Sequence, residues 1–136
     1  MKTRRTPDES IIGKRERGAG PGPEVMSAAT LTGNPVMNAN GEKLGKVEAI
    51  MLDVPNGRIA YAVLSHGGVL GVGTKLFAVP WQAMKLDTRN KSFVLDVPVE
   101  VLKDAPGFDK DHWPAMADLA WAAIVHEYYD VTPYWE

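Results

Sequence analysis

Residues 46–65 read KVEAIMLDVPNGRIAYAVLS, and the order of these side chains sets the fold class. From Lys46 to Val54, the residues Ile50, Leu52 and Val54 recur at every second position and share one face of an extended strand. Pro55-Asn56-Gly57 reads as a turn, because proline presets φ and Asn-Gly tolerates left-handed backbone. Arg58 to Ser65 then places Ile59, Tyr61 and Val63 on one face, with Ala60, Ala62 and Leu64 on the other. Two such runs around a tight turn predict a β-hairpin. Apolar residues on both faces predict a second strand covered on both sides, as in a small barrel.

Outward from the hairpin, the same period recurs. Pro35 to Asn38 reads as a short strand before Asn40-Gly41, and Leu76 to Val79 as another, stopped by Pro80. Met84 to Leu86 and Ser92 to Val97 bracket the polar turn Asp87-Thr88-Arg89-Asn90-Lys91. Short strands with tight turns and no helices between them predict a mainly β fold, a small antiparallel barrel or roll of five or six strands over residues 27–98.

The flanks differ in composition. Residues 1–26 are polar, mildly basic and end in a Gly/Pro-rich stretch, with too few large apolar side chains to offset the entropy of ordering, so they read as a disordered arm. Residues 99–136 hold seven of the eleven aromatic residues and read as a helical, ordered extension that packs on the barrel or on a partner. Asp118 caps a helix to about Tyr129, with Trp121, Ile124, Val125 and Tyr128 as its apolar stripe. The formal charge of −2 over 136 residues hides this division. Residues 1–25 and 26–99 each carry +2, whereas residues 100–136 carry −6.

Composition excludes several classes of function. Without cysteine there is no disulfide scaffold, thiolate metal site or thiol chemistry. No stretch approaches the roughly 20 apolar residues of a transmembrane span, and no signal-peptide core follows the N-terminal charges, so a cytoplasmic location is expected.

Individual motifs point the same way. Gly67-Gly68-Val69-Leu70-Gly71-Val72-Gly73-Thr74-Lys75 spaces Gly68 and Gly73 like a phosphate loop, but Thr74-Lys75 reverses the required order. A strand follows where a helix N-terminus is needed, so the segment reads as a connection presenting Val69, Leu70 and Val72 at its tip. Asp109, Asp111 and His112 are the candidate metal ligands, at a spacing that fits no standard ligand frame; turn capping is their ordinary role. Ser65 and His66 are adjacent on a strand and point to opposite faces, so they cannot act as a nucleophile–base pair. No enzyme and no cofactor are expected. Trp113, Trp121 and Trp135 would suit base stacking, but they lie in the −6 segment, where phosphate is repelled, so no nucleic-acid partner is expected.

The run from Asn40-Gly41-Glu42-Lys43-Leu44-Gly45-Lys46-Val47 to Asp53, then Gly57-Arg58-Ile59-Ala60-Tyr61-Ala62-Val63-Leu64, then Phe77-Ala78-Val79-Pro80-Trp81, resembles the PRC-barrel family over about residues 29–97. This family is named for the cytoplasmic domain of the photosynthetic reaction centre H subunit. Ala105 to Pro114 and the ending Pro133-Tyr134-Trp135 are similar to a stand-alone bacterial subgroup. The resemblance implies a strand-rich barrel used for protein–protein docking rather than catalysis, in assembly of a larger reaction-centre-like or membrane-associated complex. Leu44, Val47, Ile50, Ile59 and Val63 suit its core, and Gly45 and Gly57 suit turns.

The expectation is therefore a non-enzymatic adaptor and homo-oligomer. Its candidate contact residues are Val69, Leu70, Val72, Trp81, Trp113, Tyr134 and Trp135. The alternative is a small-ligand or metal-binding module using Asp109, Asp111 and His112 or a pocket under Trp81.

Overall fold

The structure is a computed structural model that describes residues 5–13, 20–67 and 74–136. These residues form one seven-stranded sheet: β1 (Ile11–Ile12), β2 (Pro35–Met37), β3 (Lys43–Asp53), β4 (Arg58–His66), β5 (Lys75–Pro80), β6 (Met84–Asp87) and β7 (Ser92–Leu95). Helix α1 (Ala28–Leu31) falls between β1 and β2, and α2 (Val99–Lys103) and α3 (Leu119–Tyr128) follow β7. The strand order is β1-β6-β7-β2-β3-β4-β5, and the sheet is not closed among the described residues. It nonetheless rolls around one core, since Val36, Leu44, Leu64, Phe77, Met84 and Phe93 belong to a single buried cluster contributed by β2 to β7.

The β3–β4 hairpin forms as the sequence predicts, with Gly57 at φ +64° and Asp53 opposite Arg58. The remaining expected strands are also present. The differences lie in pairing. The sheet is mixed rather than antiparallel, because β2 runs parallel to β7 and β1 parallel to β6. Both contacts join segments far apart in the chain, and no turn signal announces them. The seventh strand comes from within the segment read as a disordered arm: Ile11 and Ile12 pair with Leu86 and Asp87, and the Arg5 guanidinium donates to the Met84 and Trp81 carbonyls. Those two backbone acceptors fix a segment too polar to order by apolar burial alone.

Two bulges, between Val47 and Ala49 and between Met51 and Leu52, shift the register of β3 against β4. The first inserts Glu48 into β3 and the second Ala60 into β4. The expected Ile50, Leu52, Val54 face is covered at Ile50 and open toward the hairpin tip. Ile50 packs against the core, whereas Leu52 and Val54 are 61% and 79% exposed.

Strand β4 is buried on both faces. Ala62 and Leu64 join the main core, while Ala60 and Tyr61 join a second cluster with Ala78, Ala122 and Val125. Gly45 lies within β3 rather than in a turn. Its need is proximity: at φ +159° its Cα passes so close to β4 that a Cβ would stand 2.0 Å from the Ser65 carbonyl oxygen. Gly45→Ala must displace the β3–β4 backbone. We expect a loss of about 2–3 kcal/mol in urea unfolding, the range of backbone and overpacking defects. A variant as stable as the parent would contradict this close approach.

Candidate functional site

The second cluster is built by the C-terminal segment. The Asp118 carboxylate accepts from the Ala120 N–H and starts α3, which packs on β5 and turns Ala122, Val125 and His126 inward. The expected stripe is rotated: Val125 is buried, but Ile124 is 60% exposed and His126 only 1%. The rotation follows from ring packing around Tyr61. Its ring meets Trp121 at 5.5 Å, His126 at 5.4 Å and Tyr134 at 5.7 Å between centroids, all edge-on. Trp135 closes the group, 5.2 Å from His126 and 5.1 Å from Tyr134. The His126 Nδ1 lies 2.7 Å from the Ala122 carbonyl, a short-range bond that lets a polar ring sit in this layer. A second anchor joins the extension to α2, where the Tyr128 hydroxyl donates to the Val101 carbonyl.

The hairpin turn and the chain end meet at one chain of contacts. Asn56 and Arg58 donate to the same Asp53 carboxylate oxygen, at 2.9 and 2.7 Å. The Arg58 guanidinium also lies 5.1 Å from the centre of the Tyr134 ring. These hydrogen bonds, that of Asn56 first and then that of Arg58, hold the Asp53 carboxyl below the usual carboxylate range. Beside this junction, Leu52 and Val54 line a hollow of about 240 Å3 with Met116, Ala117 and Tyr134. Leu119 and Ile124 add exposed apolar area on α3, at 59% and 60%.

The candidate residues named from sequence separate into groups. Tyr134 and Trp135 are tail anchors, packed within the chain. Trp113 is 44% exposed, with its ring 5.1 Å from Phe108 and its Nε1–H donating to the Lys110 carbonyl. Trp81 is half-buried, packs edge-on against Phe93 at 5.6 Å, and shares the wall of a cleft with Arg5 and Tyr134. Val69, Leu70 and Val72 lie outside the described residues. Asp109, Asp111 and His112 occupy one exposed turn, in which the Asp109 carboxylate takes the His112 Nδ1 at 2.7 Å and the Asp111 N–H at 3.0 Å. Bonds from His112 first, then from the Asp111 amide, hold the Asp109 carboxyl below its ordinary range. Among the described residues no group of three or more His, Cys, Asp or Glu is arranged to hold a metal ion.

Leu52, Val54, Leu119 and Ile124 were not among the residues the sequence reading selected. Alternation assigns Leu52 to the face of Ile50, yet near the hairpin tip it stands exposed. The alanines on both sides of α3 leave its inward face undetermined.

A single mixed sheet rolled about one core, with its outer face covered by its own aromatic extension, defines a small, mainly β protein of the barrel or roll class. The chain belongs to the PRC-barrel family: the family model for the PRC-barrel domain matches residues 23–102, from before α1 to α2. A comparison with curated protein sequences finds no match. No helix among the described residues is long and apolar enough to cross a membrane.

Two outcomes test this layer. The Tyr61 hydroxyl is buried with no hydrogen-bond partner, and burial pushes its ionisation far above the usual range. Tyr61→Phe removes the unsatisfied group and keeps the ring, so thermal unfolding is expected at an equal or higher temperature, a gain of up to about 1 kcal/mol. A clear loss would mean that the hydroxyl has a partner. The second outcome concerns acid. A folded-state pKa below the unfolded one contributes stability above the ordinary carboxylate range, and that contribution is lost as pH falls through the depressed value. In melting scans from neutrality to below about pH 4, Asp53→Asn should decline less steeply than the parent. Parallel curves would remove Asp53 from the acid response.

Proposed function

We propose that this PRC-barrel protein is a non-enzymatic docking module that associates with a second copy of itself and with protein partners, in assembly of a larger complex. The observation that carries this reading is the apolar lip: Leu52 and Val54 at the hairpin tip beside Met116, with Leu119 and Ile124 exposed on α3. Exposed apolar side chains gathered around one hollow, as Leu52 and Val54 are beside Met116, mark an interaction site. Burial of the tail rings in the chain's own second cluster supports the lip, rather than the tail, as the surface offered outward. The segment from residue 100 to 136, at −6, favours a protein contact over a nucleic-acid one.

Sedimentation velocity over a range of concentrations is the direct test. The parent chain should sediment above its monomer mass of 14.8 kDa. L52E/V54E should weaken self-association at least tenfold, about 1.4 kcal/mol, with the melting temperature little changed because both side chains are exposed. A parent that stays monomeric at every concentration, and whose capture of lysate proteins is unaffected by L52E/V54E, would overturn the proposal.

A further inference from the structure

Two adjoining hollows open beside Trp81, across Tyr134 from the apolar lip. The outer one, of about 420 Å3, is walled by Arg5, Arg58, Ile59, Trp81, Gln82 and Tyr134. The inner one, of about 350 Å3, shares Arg5, Ile59 and Trp81 and continues over Met26, Leu86 and Phe93. Both fall in the size range of small-molecule sites. Both arginines line the outer hollow, whereas the inner one is mostly apolar, with Ser10 and Glu24 among its walls.

The cations are held in place before any ligand arrives. The Arg5 Nε–H donates to the Met84 carbonyl at 3.0 Å and an Nη–H to the Trp81 carbonyl at 3.4 Å. Arg58 is fixed through its Nε–H on Asp53 and by the Tyr134 ring under its plane. Each fork is thus anchored on one side only, and a guanidinium has five N–H donors. Among the described residues no acidic side chain lines the outer hollow; Glu24 lines the inner one. At the mouth, the Gln82 carboxamide oxygen is buried and accepts no hydrogen bond. A half-turn of that carboxamide would present its N–H2 group at the same place.

We propose that this cleft binds a small carboxylate with an apolar body. The carboxylate meets the Arg5 and Arg58 forks and the Gln82 carboxamide, and the body lies on Trp81 and Ile59 toward the inner hollow. Charge-assisted bonds to guanidinium are the strong polar contacts available here. A dianion suits the cleft less well, because Asp53 already neutralises part of Arg58 and Glu24 lines the inner hollow. A neutral amphiphile would fill the depth and leave the two forks without an anion.

Titration calorimetry on the full chain separates these cases with three probes: octanoate, octanamide and inorganic phosphate. Octanoate should bind one per chain, at least tenfold tighter than either of the others. R5Q should weaken octanoate at least tenfold and leave the weak octanamide binding unchanged. Octanoate and octanamide binding equally would reduce the site to a greasy cleft and overturn the proposal. Phosphate binding as tightly as octanoate, or no binding of octanoate, would overturn it as well. The comparison of probes on the parent chain decides the question even where R5Q unfolds, since it needs no variant. Self-association through the lip stands or falls separately, because L52E/V54E replaces none of the residues lining either hollow and the probe comparison is made on the parent chain.

Discussion

Strand β4 has no solvent face, and the architecture is arranged around that constraint. One side, through Ala62 and Leu64, closes the main core; the other, through Ala60 and Tyr61, faces the C-terminal extension. A strand flanked by β3 and β5 and covered above and below must satisfy every backbone group within the ladder and keep close neighbours small. Hence the alternation of alanine with large side chains, and hence Gly45, whose missing Cβ lets β3 lie against Ser65. Covering the outer face of β4 falls to α3 and the final aromatic residues. They lie beyond the segment that matches the family. The extension therefore completes the fold, since without it Tyr61 would stand on an open sheet.

How much of this was legible in the sequence divides along the distance between partners. The β3–β4 hairpin and the β6–β7 turn are local, and their signals are local: Asn56-Gly57 in one, and in the other the Asp87 carboxylate accepting from the Arg89 and Asn90 amides. Parallel pairing of β2 with β7 leaves no such trace, because neither strand carries information about a partner as distant in sequence as Val36 is from Phe93. The buried Asn38 is an instance. Its side chain caps the Asn40 and Glu42 amides and also donates to the Val97 carbonyl, so one asparagine sets both a turn and the exit of β7. Sequence reading finds the turn and misses the second bond.

The functional surface was harder to read than the fold, for a physical reason. Alternation assigns faces but not their cover, and Leu52 shares the face of Ile50 yet stands exposed toward the hairpin tip. In α3 the difficulty is composition. Alanine fits a buried or an exposed face equally well, so the inward side is chosen by what it meets, the Tyr61 ring, rather than by its own hydrophobicity. His126 goes in because its ring packs edge-on and its Nδ1 has the Ala122 carbonyl; Ile124 stays out.

The charge division of the chain gains a structural meaning from the same packing. A −6 extension on a +2 barrel invites an electrostatic account of docking, yet the tail is held chiefly by rings. Arg58 on Tyr134 is the described cation–ring contact between the hairpin turn and the chain end, and Asp53 already shares that cation. Surface charges at such distances are screened within about 8–10 Å of physiological salt, whereas ring burial is not. The acidic side chains of the extension are left exposed on its outside. Tyr134 is the residue common to both openings, walling the hollow at Leu52 on one side and the Trp81 cleft on the other. Its position is set by Tyr61, so the buried strand that organises the fold also determines how the two surfaces are spaced.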